Sequence, residues 1–260
     1  MTYIVNKDPI LEISIGNVPG QSIMRAFGER ESMGTTAQGE DIWRGNDLTP
    51  APTSHTSIPV PADAGEQVTF VSESNADNGA TATGVLTVRI EYLDNTGAEQ
   101  TEDVTLNGTT PVNSVATNIR FVNDFYALTV GSNGVAEGHI KIYKTGTVGL
   151  VYNMITLGGN KSMVPNRMVP IGKTLVLKEW HASEAQGKRV AFRIRSTDMS
   201  GVLLPGVFCF KDVRYLNNSV ASDMSVNVSL PALSIIKVSG WPDAISAEVS
   251  CSWWGVLIND

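Results

Sequence analysis

The chain has 260 residues, enough for one large or two ordinary domains, and its 42% hydrophobic content is enough for a packed core. Only 17% of residues are charged, with a net charge of -7, against ~25% charged in an average globular chain. The 19 basic residues are scattered, which argues against a phosphate-tracking surface, and no run reaches the ~20 apolar residues of a bilayer-spanning helix. The expected partners therefore include neither nucleic acid nor membrane.

In chain order, the opening "MTYIVNKDPILEISIGNVPG" has acids and a proline where a secretion signal needs an apolar run. It predicts a chain made in the cytoplasm that leaves only as part of something larger. Next, "QSIMRAFGERE" (21–31) can share Ile23, Met24 and Phe27 on one helical face, but Gly28 interrupts it, so helix and ordered turn both stand. The stretch 45–66, with prolines at 50, 52, 59 and 61, reads as a linker or edge-hugging segment, because proline has no N–H for a central ladder. Residues 1–47 together form an expected N-terminal arm. Its apolar residues, Phe27 and Trp43 among them, are too many for a free tail, which predicts docking on a neighbouring subunit. Trp43, flanked by Arg44 and Gly45, is the candidate anchor.

From there period two dominates. The low-complexity "SESNADNGATATG" (72–84) reads as a flexible surface loop. "VLTVRIEY" sets Leu86, Val88, Ile90 and Tyr92 against Thr87, Arg89 and Glu91, and "DNTG" then turns it into "AEQTEDVTL" as a hairpin, with Gly97 supplying positive φ. "KRVAFRIRS", "DMSVNVSL" and "AISAEVSCSW" repeat the alternation, which is the mark of antiparallel sheets with one wet face. Strands are expected at 58–61, 66–73, 85–93, 99–106, 119–131, 137–144, 150–157, 173–180, 188–196, 205–213, 223–230, 233–239 and 245–259. The expected fold is all-β: two antiparallel, jelly-roll-like β-sandwiches (48–146 and 147–260, with a boundary near 145–149) behind an extended arm. One sandwich interrupted by a long insertion is the other arrangement that fits.

No chemistry declares itself. His55, His139 and His181 share no metal-ligand spacing. Glu179-Trp180-His181 is the most suggestive cluster, but alternation puts Trp180 at the core rim and its neighbours in solvent. "LGGNKS" lacks phosphate-loop spacing, and no G-x-S-x-G elbow occurs. No catalytic, cofactor-binding or metal residue is expected, and the chain reads as a non-enzyme. Cys209 and Cys251 lie in apolar strand-like runs, the setting of unbridged thiols. Trp253 takes the inward register and Trp254 the outward one, making Trp254 a candidate contact for a sugar or a neighbouring subunit.

"GNVPGQSIMRAFGERESMGTTAQGEDIWRGNDLTPAP" (16–52) resembles the start of a group of virion proteins of tailed bacteriophages, although Glu29 stands where that group has asparagine. "VTLNGTTPV", "GVAEGHIKIY", "PIGKTLVLKEWHAS", "GKRVAFRIRS" and "LPGVFCFKD" resemble it too. The resemblance implies a structural protein of the head, neck or tail. Its partners would be other copies of itself and virion proteins such as the major capsid or tail proteins. A carbohydrate-binding module or sandwich glycosidase is the competing class.

Overall fold

The computed structural model describes residues 8–79, 82–217 and 222–260. A short helix, α1 (Pro9–Ser14), is capped by Asp8, whose carboxylate accepts from the Ile10 N–H at 2.9 Å. Then come β1 (Gln21–Met33), β2 (Glu40–Asp41) and a 3-10 turn at Gly45–Asp47. The middle of the chain gives β3 (Val68–Ser72), β4 (Val85–Asp94), β5 (Glu99–Thr105) and β6 (Val112–Asn113), followed by β7 (Ile119–Val130), β8 (Ile140–Lys144) and β9 (Val151–Ile155). It continues through β10 (Arg167–Met168), β11 (Lys173–Glu184), β12 (Val190–Ser196), β13 (Asp198–Met199) and β14 (Val202–Leu203). Last are β15 (Cys209–Leu216), β16 (Ser222–Leu230), β17 (Ile235–Pro242) and β18 (Ala247–Asn259). The fold is all-β, and among the described residues every pairing between these strands is antiparallel.

Four sheets and the small β13–β14 hairpin carry the described chain. Sheet A has the order β1-β18-β11-β16, and sheet B the order β10-β17-β12-β15 with β2 added on β17. Sheet C is β5-β4-β7, and sheet D is β6-β3-β8-β9. One apolar core draws on sheets A and B together, from Leu177, Trp180 and Trp253 to Phe192 and Val238. A second draws on sheets C and D, with Val88, Ile90 and Phe125 beside Phe70, Ile140 and Ile142. The alternation read in "VAFRIRS" and "AEVSCSW" is the inward register of β12 and β18: Val190, Phe192, Ile194, Val249, Cys251 and Trp253 are all buried.

Residues 21–33 are neither a helix nor an arm laid on a neighbouring subunit, but a strand of their own chain. They pair along their length with the C-terminal β18, from Gln21 opposite Ile258 to Met33 opposite Ala247. The inward positions are Met24, Ala26, Gly28 and Arg30, a set too small and too polar to look like a strand's apolar face. Gly28 is there because of close approach: a Cβ would lie 2.6 Å from the Ile42 carbonyl oxygen and 2.8 Å from the Pro165 ring. Arg30, 1% exposed, is paired with Glu40 at 2.6 Å and donates to the His55 carbonyl at 2.8 Å.

The proline-rich stretch is a cover, not a strand. Leu48 and Ile58 join Trp43 in a core laid on sheet D through Val71, Tyr143, Val151 and Met154, and no strand forms at 58–61. Val151–Ile155 pairs with β8, so sheet D continues past residues 145–149. Sheet C meets sheet B through Leu93, Phe121 and Met168. Asn123 ties them: its amide donates to the Met168 carbonyl at 2.9 Å and accepts from the Met168 N–H at 2.8 Å.

Two loops turn on single acids. In the 92–98 hairpin, Asp94 accepts from the Thr96 N–H, Thr96 hydroxyl and Ala98 N–H at 2.8, 2.6 and 3.1 Å, and Gly97 has φ +90 as the turn requires. Within 72–84, Asp77 is fully buried and organises its surroundings, accepting from Ser72, Val85, Glu137 and Gly138. Among the described residues of this segment, 72–79 and 82–84, the network fixes the chain where its composition suggests a flexible surface loop; Ala80 and Thr81 lie outside the described residues.

Glu66 gives the fold a measurable acid sensitivity. Burial disfavours its carboxylate, but the Lys144 ammonium at 2.6 Å, the Tyr152 hydroxyl and the Ala62 N–H at 3.2 Å hold its pKa below the ordinary value. A depressed carboxylate contributes stability above its unfolded pKa of about 4.3 and loses it as pH falls through the folded value. Glu66→Gln is therefore expected to melt below the parent at neutral pH, with the gap narrowing below about pH 4. Thermal melts of both proteins across that range check it; a gap that stays constant contradicts it.

Candidate interaction surface

The three expected contact residues do not lie together. Trp43 is 0% exposed: its ring packs in the core over sheet D and its indole N–H donates to the His55 carbonyl at 3.0 Å. It is a core residue of its own chain, correcting its reading as an intersubunit anchor. Phe27 and Trp254 do share the outer face of sheet A, with Arg25 opposite Trp254 and Phe27 opposite Ser252. Both are half-buried, and the Trp254 indole donates to Glu179 at 3.2 Å. Trp253 points inward and donates to the Pro165 carbonyl at 2.8 Å. Trp180 is fully buried, deeper than the rim position expected, and donates to Asp212 at 3.2 Å.

A larger surface lies on sheet B. From Asp198 to Leu216 the chain makes the β13–β14 hairpin and then β15, the last strand of the sheet. Met199 is 58% exposed, Val202 60%, Val207 54%, Phe210 54% and Tyr215 63%. Single exposed apolar residues are ordinary, but these five, two on the β13–β14 hairpin, one in the loop after it and two on β15, fall within one short stretch of chain and leave an unfinished surface. Lys211 fastens the hairpin to the strand, its ammonium donating to the Asp198 carbonyl at 2.6 Å and carboxylate at 2.8 Å.

Behind that edge, the outer face of sheet B alternates cations with rings. The Arg193 guanidinium stands 4.7 Å from the Phe210 ring centre and 4.1 Å from that of Trp241. Arg195 lies 5.0 Å from Trp241, Lys237 4.3 Å from Phe208, and Arg189 5.4 Å from Tyr215. Such stacking fixes the guanidinium planes; the exposed Arg189 keeps an edge open to a partner's carboxylates, whereas Arg195 is mostly buried and turned to Asp41.

Asp41 anchors the inner end of the array. Its buried carboxylate accepts from Ser239 at 2.6 Å, the Ile58 N–H at 3.0 Å, Lys237 at 3.1 Å and Arg195 at 3.3 Å. Burial pushes the Lys237 pKa down, Asp41 opposes that, and Arg195 adds to it, leaving a net lowering. Arg195 is lowered too, by burial first and by Arg193 against the pull of Asp41. A cavity of 380 Å³ opens beside Arg195 and Lys237, under Thr36, Gln38 and Ser57. An apolar pocket of 300 Å³ lies beyond Phe208, walled by Val60, Leu203 and Leu233.

A third hollow, of 480 Å³, separates β1 from sheet C. It holds the cross-strand carboxylates Glu91 and Asp124, both already engaged: Glu91 accepts from Tyr126 at 3.1 Å, and Asp124 pairs with Lys161 at 2.5 Å. Both cysteines are free, Cys251 buried and Cys209 half-buried. Burial pushes the Cys251 thiol well above its ordinary pKa, so it packs as an apolar group.

Sequence reasoning placed a strand near β15 without seeing its exposure, because "VFCFKD" reads like core. The available signal was the order of charges in "KDVRY", which suits an edge better than a strand buried on both sides.

No family model and no curated protein matches the chain. Among solved structures, that of infectious bursal disease virus Gx strain is similar at 10% identity and TM-score 0.26, covering 97% of this chain and 78% of that one. That of the Gt strain has 11% identity and TM-score 0.21, covering 97% and 77%. Likeness at such TM-scores carries no argument about fold or function.

Proposed function

We propose that the chain is a non-enzymatic structural protein of a tailed-phage particle, built as two β-sandwich units and assembled on the head or tail through contacts between copies. Its further neighbours would be major capsid or tail proteins. One observation supports this most: the exposed apolar side chains between Met199 and Tyr215, carried by the β13–β14 hairpin, the loop after it and β15 at the end of sheet B. A surface that leaves aliphatic and aromatic groups in water beside stacked arginines has the composition of an interface centre, where aromatics and arginine are enriched. The tailed-phage setting rests on the resemblance of residues 16–52 and the motifs after them.

The test pairs two experiments. Phe210→Ser with Tyr215→Ser is expected to weaken self-association roughly tenfold or more, since two exposed rings at an interface centre carry at least the ~1.4 kcal/mol that a factor of ten requires. The melting temperature should change little, because neither ring is in a core. Mass spectrometry of purified particles should find the chain. Unchanged association, or absence from particles, contradicts the proposal.

A further inference from the structure

The ladder of sheet B shows which backbone groups of β15 are unused. The Thr197 N–H donates to the Ile235 carbonyl at 3.0 Å, and the Asp243 N–H donates to the Arg189 carbonyl at 2.9 Å. The backbone groups of residues 189 and 197 therefore turn toward β17. By alternation those of Ala191, Arg193 and Arg195 do the same, whereas those of Val190, Phe192 and Ile194 turn toward β15. The β15 partners of that second set are Leu216, Arg214 and Asp212, whose backbone groups bond back to β12. Among the described residues nothing pairs with the far side of β15, so Val213 and Tyr215 are left presenting their N–H and C=O groups to that edge. The Val213 N–H agrees with this, since it donates to the carboxylate of its own neighbour Asp212 at 2.8 Å.

We propose that β15 pairs antiparallel with β15 of a second copy about a two-fold axis at Val213, joining two copies of sheet B into one continuous sheet. This rests on the reading that copies of the chain associate. Charge complementarity sets the register. With Val213 opposite itself, Asp212 stands opposite Arg214 on both sides of the axis, so each seam carries two opposite-charge pairs. An axis at Tyr215 would forfeit both pairs and leave most of the strand unpaired. Arg214 already pairs with Asp212 of its own strand at 3.0 Å, and at 47% exposed its guanidinium lies within reach of the seam. Strand addition would also give the Val213 N–H a carbonyl in place of the Asp212 carboxylate and would cover Tyr215.

Three substitutions test this by sedimentation velocity over a concentration series. Val213→Pro removes an N–H that the sheet's own ladder does not use, so the chain should fold as before, while dimerisation should weaken at least tenfold. Arg214→Glu sets acid against acid across the axis and should weaken it similarly. Val213→Cys in a Cys209→Ser background should form a disulfide-linked dimer under mild oxidation, because hydrogen-bonded partners in such a pair have Cα atoms about 5.5 Å apart. If the chain associates but none of the three variants behaves so, the strand pairing is wrong and self-association stands. If the parent chain is a monomer throughout, the pairing and the proposed function both fall. Should Val213→Pro not fold, the other two variants decide.

Discussion

Asp41→Ala is expected to lower stability by about 3–5 kcal/mol, the usual cost of removing one partner from a buried ionic cluster. Lys237 and Arg195 are both mostly buried around the Asp41 carboxylate, with side-chain exposures of 8% and 14%. Without it, two cations lie in a poorly solvated site with no carboxylate between them. The Lys237 pKa, already lowered by burial, loses the one charge holding it up and falls further. The damage spreads, because Asp41 also accepts from the Ile58 N–H and so fastens the proline-rich cover. Asp41→Asn keeps the shape and one acceptor and should recover part of the loss. Denaturant unfolding followed by tryptophan fluorescence measures all three proteins. A loss under about 1 kcal/mol for alanine would mean that the cations reach water, against the burial described.

Trp43→Ala is expected to cost a similar amount, about 3–5 kcal/mol, as large-to-small core substitutions do. Its ring is fully buried among Leu48, Ile58, Val71 and Met154, so truncation leaves a large void under the proline-rich cover. The His55 carbonyl would lose its indole donor, though Arg30 still reaches it at 2.8 Å. The expected signature is a lowered midpoint for the whole fold, with self-association of the remaining folded protein unchanged. A variant that melts like the parent but no longer associates would restore Trp43 to the role of intersubunit anchor.

Those two residues also mark where sequence reasoning stops. The strands β4, β12 and β18 were legible, because each sets bulky apolar residues inward and polar ones outward at period two. β1 was not legible. Its inward face includes Gly28, required by close packing, and Arg30, satisfied by Glu40, so the period was hidden. Its outward Phe27 and neighbouring Ile23 and Met24 happen to fall at helical spacing. Its partner β18 lies more than two hundred residues away, and such pairing leaves no local signal.

Trp43 was misplaced for a related reason. A tryptophan followed by an arginine and a glycine suits an exposed anchor, but here Gly45 is needed because a Cβ would lie 2.3 Å from the indole ring. Arg44 is spent on Asp47, Glu31 and Glu29 rather than on a partner. On the surface side, Trp254 was legible from register alone, since alternation from the buried Trp253 turns it outward. The edge formed by β13 to β15 was not. Its exposure depends on which strand comes last in sheet B, a property of topology that composition does not carry.

Self-association is tested most directly by the mass of the purified full chain, measured by light scattering across a wide concentration range. The expected mass rises with concentration from 27.9 kDa to whole multiples of it, and a Phe210→Ser, Tyr215→Ser variant stays lower at each concentration. A parent chain that remains at 27.9 kDa throughout would contradict assembly through this edge.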